Sequence, residues 1–136
     1  MPREWILTVT LAMLFLVQVT GLHFFAVGDW GCDCINQQHV ARSMGQLGSQ
    51  RPIDFVIGLG DHFYQTRFGN GISTVHDARF RLTFESVYSS PALQTRWYNI
   101  LGNHDWGGNV SAYLAYTQRS SRWYQPHFYW GETLKV

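Results

Sequence analysis

The stretch FVIGLGDHFY, residues 55–64, decides how this chain folds. An apolar run leads into Gly-Leu-Gly, then a carboxylate, Asp61, then a phenol, Tyr64, three positions on. A short continuous apolar run bounded by glycine reads as a buried strand. The same punctuation appears twice more, in FAVGDWG around Asp29 and in NILGNHDWGG around Asn103. Three apolar strands thus each end in glycine and a residue able to ligate a metal.

The segments between them read as helices. A strand over residues 22–27 precedes a helix from about 37 to 47, with Val40, Met44 and Leu47 at helical spacing on one face. After the strand over 54–59 comes a glycine- and asparagine-rich loop over 68–72. A second helix, 77–88, carries Phe80, Phe84, Val87 and Tyr88 as its apolar stripe, and Thr74-x-x-Asp77 resembles a capping box. The third strand, 97–101, leads to a helix after Asn109. The close of the chain, HFYWGETLKV, reads as a strand and the start of a turn.

Strand and helix in alternation predict an α/β fold built on a largely parallel sheet. Asp61 stands 32 residues after Asp29, and Asn103 stands 42 after Asp61, each spacing long enough for one strand–helix–strand unit. Same-handed crossovers bring all three strand ends to one edge of the sheet, where ligands of open α/β sheets bind. Asp29, Asp61, Tyr64, Asn103 and His104 should therefore converge. Glycines 28, 60 and 102 allow the chain to turn there.

A single aspartate at a strand end has an innocent reading, as a helix cap or a side-chain turn. Three such motifs on one edge do not. Like charges at short range must be protonated, paired or metal-bound, and no Lys or Arg occurs within the motifs. Carboxylate, phenolate and amide oxygens are hard donors that suit Fe³⁺, Mn²⁺ or Zn²⁺. A phenolate, from a group whose ordinary pKa is about 10, calls for a strongly Lewis-acidic ion such as ferric iron.

With 46% hydrophobic and 14% charged residues, the 136-residue chain can build one core. A net charge of +1 gives no footprint for nucleic acid. Residues 1–21 read as a signal peptide: Arg3, an apolar run over 5–19, then small residues. That run, interrupted by Thr8, Thr10 and Gln18, is too short for a stable membrane anchor. The expectation is a secreted or lysosomal protein with one domain over 22–136. Asn109-Val110-Ser111 is then an N-glycosylation sequon, or Asn109 caps the following helix. In an oxidising compartment a disulfide is expected first for Cys32 and Cys34, yet a bridge across a single residue is a strained, uncommon geometry. They are free, paired with cysteines outside this chain, or joined in a strained bridge.

GDWG, GDHFY and GNHD match, in order and spacing, the first three motifs of the metallophosphoesterases. The tyrosine three residues after the second aspartate resembles the purple acid phosphatases. WYNILGNHDWGGNVSAYLAY and RFRLTFESVYS further resemble the small secreted tartrate-resistant (type 5) acid phosphatases, and the likeness runs over residues 22–136. The resemblance implies a metallophosphoesterase sheet core flanked by helices, four layers (α/β/β/α) in the full family. It implies that Asp29 and Tyr64 bind Fe(III), that Asp61 bridges two metals, and that Asn103 binds a second divalent ion (Fe, Zn or Mn). His104 would contact the phosphate and protonate the leaving alkoxide. The substrate would be a phosphate monoester or phosphoprotein.

Three departures bear on this. Gly31 stands where many metallophosphoesterases place a histidine, and the resemblance implies that Tyr64 supplies the missing ligand. His62 stands where type 5 members usually have asparagine. It is either a group behind the metals or a surface residue, the simpler reading. Trp106 stands where they often have histidine or tyrosine, and either walls the substrate cleft or packs. The family's fourth and fifth motifs, with further histidine ligands, lie downstream of the segment that ends at Val136. The resemblance therefore implies a partial phosphatase with an exposed sheet face, the alternative being a non-catalytic secreted protein that keeps a partial fold.

Overall fold

The computed structural model describes residues 21–64 and 71–134. The signal-peptide reading and most of the 68–72 loop fall outside these residues. Four strands, β1 (Phe24–Val27), β2 (Phe55–Gly58), β3 (Arg96–Asn99) and β4 (Trp123–Tyr124), form one sheet in the order β1-β2-β3-β4. Every pairing is parallel, with Val27 opposite Gly58 and Gly58 opposite Asn99. The strands therefore end level, and the three motifs emerge side by side from one edge, as the spacing predicts.

The sheet grows in one direction without reversing, and same-handed crossovers then put every connection on one face. Side chains alternate across a strand. Phe25, Val27, Val56, Trp97 and Trp123 point to the face that carries the single core, with Met44, Phe80, Phe84 and Tyr113 from the connecting segments. Phe24, Phe55, Tyr98 and Tyr124 point the other way and run as a ladder of rings 5.0–5.5 Å apart. Phe24 is 48% exposed, so this face is apolar and open in part, as the resemblance implied.

Helix α1 (Ile35–Gln50) is longer than its apolar spacing suggested and faces another way. Val40 and Leu47 are exposed, whereas Ala41, Met44, Gly45 and Gly48 are buried. The reason is close approach. A Cβ at Gly45 would lie 2.7 Å from Ser90 Cβ, and one at Gly48 would lie 3.0 Å from Ala92 Cβ, so small residues face the turn at Pro91–Leu93. The second helix is shorter than 77–88. Its centre, Phe80–Glu85, is π-helical, and Ser86 N–H bonds back to the Arg81 carbonyl over 2.9 Å. Its stripe is as read, with Phe80, Phe84 and Tyr88 buried. No capping box forms. The Thr74 hydroxyl accepts from His76 N–H, and the Asp77 carboxylate accepts from Ser73 N–H and Arg79.

Helix α2 (Val110–Tyr116) follows Asn109, which stands at its N-cap without a side-chain cap bond. Asn109 Nδ2 donates to the Ser73 carbonyl at 3.2 Å instead. The closing segment is irregular rather than a strand, and the chain pairs with the sheet through Trp123–Tyr124. Trp130 there lies against Tyr98 and Tyr124 and donates to the Asn99 carbonyl.

Candidate metal centre

In the first two motifs an acid stands close to a buried aromatic anchor. Trp30, next to Asp29, is buried among Phe63, Phe84, Tyr88, Trp97 and Trp123, with ring centroids 5.4–6.4 Å away. Phe63, two residues after Asp61, is equally buried against Phe80 and Tyr113. Burial of such rings holds the loops in place. The acids themselves take a conformation that side chains avoid. Asp29 has φ 56° and Asp61 φ 53°, left-handed values that aspartate tolerates better than most residues. Backbone strain of this kind persists only where the surroundings fix it, and it clusters at functional sites.

The result is convergence. Tyr64 Oη donates to Asp29 Oδ1 at 2.5 Å and lies 3.3 Å from Asp61 Oδ2. His104 N–H donates to Asp61 Oδ1 at 2.9 Å, and its ring lies 4.6 Å from the Tyr64 ring, centroid to centroid. His104 is half-buried, with one side toward solvent. Asn103 stands on the same edge, exposed and outside this contact set. Partial burial, the hydrogen bond to Asp29 and the Asp61 charge all push the Tyr64 phenol above its ordinary value. Two carboxylate oxygens then share one phenolic proton. Among the described residues no three His, Cys, Asp or Glu side chains gather into a metal site. The donors here are two carboxylates and a phenol, all hard oxygens, and they fit a hard, highly charged cation that could take the proton's place.

Two residues behind the edge were missed or misread in the sequence. Asp105, the last residue of GNHD, is fully buried. It accepts from His62 N–H (3.0 Å), Phe63 N–H (3.3 Å), Gly102 N–H (2.9 Å), Tyr113 Oη (3.0 Å) and His62 Nδ1 (2.9 Å). It thereby ties the second motif to the third. His62 is not a surface residue: it is fully buried between Trp30 and Trp123 and points at Asp105. His23 is held away from the site, through its backbone N–H to Asp54 and its ring to Arg51. Trp106 is 54% exposed and lies 5.6 Å from Phe128, ring to ring.

Burial alone would raise the Asp105 carboxyl, but the charge of His62, its ring N–H and the N–H groups of Gly102 and His62 outweigh it and hold the carboxyl low. Asp77 is also held well below the usual range, where bonds from Arg79 and Ser73 outweigh its burial. Both stay charged in the folded chain where the unfolded chain, with carboxyls near about 3.9, takes up protons. Their stabilisation is present above that value and is lost as pH falls below it. The urea midpoint should thus hold steady near neutrality and drop between about pH 5 and pH 3, with Asp77→Asn flattening the drop. Circular dichroism across that range checks it.

Residues 22–135 match the calcineurin-like phosphoesterase family. The chain belongs to that family. Within it, the chain is similar to purple acid phosphatase 7 of Arabidopsis thaliana, with 44% identity over 106 residues that cover 76% of this chain and 31% of that protein. It is also similar to tartrate-resistant acid phosphatase type 5 of Mus musculus (36% identity, 98% of this chain, 44% of that one) and of Homo sapiens (41%, 77% and 33%). The chain spans between about a third and less than half the length of these phosphoesterases. Among solved structures it resembles GAP50, described as the anchor in the inner membrane complex of Plasmodium. There the TM-score is 0.71 and the identity 26%, over 80% of this chain and 35% of that one. Among the described residues no helix is long and apolar enough to cross a membrane.

Proposed function

We propose that this phosphoesterase chain contributes the first part of an acid phosphatase acting on phosphate monoesters through an Fe(III)–M(II) centre, M being Fe, Zn or Mn. The observation that carries the reading is the meeting of Tyr64, Asp29 and Asp61 through one phenol. Asp29 and Tyr64 would hold the ferric ion, Asp61 would bridge, and Asn103 would face the second ion. Bound there, a metal pair supplies positive charge against phosphoryl oxygens and activates water. The chain's own groups do the rest. Asp61 holds the His104 backbone, Tyr64 flanks its ring, and the half-exposed imidazole can give a proton to the departing alkoxide. Secretion through the 1–21 leader and a glycan on Asn109 belong to the same reading.

The test uses the longest natural product of the gene containing this chain, loaded with iron and assayed on an aryl phosphate at acid pH. Hydrolysis should appear, and His104→Ala should lower kcat by about 10²–10³. An unchanged rate in that variant would remove His104 from the reaction. The likeness to GAP50, described as an anchor, favours a second reading, a non-catalytic binding protein on the same fold. A folded, iron-loaded product with no hydrolysis would select it.

A further inference from the structure

The segment between β1 and α1 holds a feature the phosphoesterase reading does not use. Cys32 and Cys34 are bonded to each other, two residues apart, with their Cα atoms at 5.3 Å. What makes this possible is Asp33, whose φ of 50° folds the chain back so that the flanking side chains meet. Asp33 N–H donates to Gln37 Oε1 at 3.0 Å, and buried Gln37 in turn donates to the Thr83 carbonyl at 2.7 Å, so the turn is anchored to the core.

The two sulfurs are not equivalent. Cys32 is exposed. Cys34 is half-buried and is the N-cap of α1, a 16-residue helix with no acidic residue in its first turn. An N-cap side chain ordinarily accepts from the free N–H groups of that turn, and Cys34 makes no such bond in the disulfide. A thiolate at this position gains those donors and the positive end of the helix dipole, which lowers a cysteine's pKa and improves it as a leaving group. Cys32 also lines, with Asp29, Trp30 and Tyr88, a cavity of about 150 Å³ beside the first motif.

From this geometry we propose that Cys32–Cys34 is a thiol–disulfide exchange site, taking a thiol reductant at Cys32 and releasing Cys34 as the thiolate. The reductant's thiolate attacks Cys32 Sγ, a mixed disulfide forms, and the Cys32–Cys34 bond breaks with its electron pair on Cys34 Sγ. A second thiol then attacks the reductant's sulfur and frees Cys32. Two electrons pass to the protein, two thiols are oxidised to one disulfide, and their protons end on the cysteines.

The experiment uses the 136-residue chain without metal, in buffers of graded reduced-to-oxidised glutathione ratio. Thiols are alkylated and counted by peptide mass spectrometry, with circular dichroism confirming that the chain stays folded. Cys32 and Cys34 should become labelled together in one two-electron transition, without denaturant. In single variants, Cys34 in Cys32→Ser should alkylate about five- to tenfold faster at mildly acid pH than Cys32 in Cys34→Ser. A disulfide that excess reduced glutathione opens only after unfolding overturns the proposal. So do equal alkylation rates in the two variants.

Discussion

Asp105→Ala should fail to hold its fold at ambient temperature. The carboxylate is fully buried and accepts from three backbone N–H groups, the His62 ring and the Tyr113 hydroxyl. Alanine leaves all of them facing one another without an acceptor. Each buried donor left without its acceptor costs about 1–3 kcal/mol, and several are orphaned at once. Whole domains of this size are stable by only about 5–15 kcal/mol. Urea denaturation of the wild type, Asp105→Ala and Asp105→Asn checks this. The asparagine variant keeps one acceptor oxygen and should fall between the other two.

Gly31→Ala should be nearly as damaging, for a steric reason. A Cβ there would lie 1.6 Å from the His62 carbonyl oxygen and 2.7 Å from Phe63 N, and both are backbone atoms that no rotamer change can move. Tyr64 N–H also bonds the Gly31 carbonyl at 3.3 Å, so the loops of the first and second motifs run in direct contact. Adding the methyl must part them, on the order of 3 kcal/mol by the usual penalty of overpacking. Parting them also separates Asp29 from Tyr64. The expected result is a lower Tm together with altered near-ultraviolet dichroism from Trp30, whose neighbours would shift. The same crowding leaves no room for a histidine side chain at position 31 in this chain.

The three strand ends were legible because glycine and a residue able to ligate a metal punctuate each apolar run, and the parallel register then places Asp29, Asp61 and His104 together. What the sequence concealed was direction. Apolar spacing chose Val40 and Leu47 for the core face of α1, whereas contact with the turn at Ser90 and Ala92 selects Ala41, Gly45 and Gly48. His62 looked like a surface residue because nothing local tells which way a loop histidine points. Its partner Asp105 lies 43 residues away. Asp105 stood inside a recognised motif, next to His104, and the signal that could have found it was its place in a loop bounded by Gly102 and Gly107 with no Lys or Arg nearby. The Cys32–Cys34 bond could not be chosen over free or externally paired cysteines, because the left-handed aspartate between them cannot be read from residue types alone.

On the proposed function, Asp29, Asp61 and Tyr64 hold one cation between them. Titration of the chain with ferric iron, followed by visible absorption, tests it directly. The wild type should develop a tyrosinate-to-iron charge-transfer band that saturates with added metal, and Tyr64→Phe, which keeps both carboxylates, should show none. A wild-type chain that stays colourless while folded, or a Tyr64→Phe chain with the same band, would contradict the account.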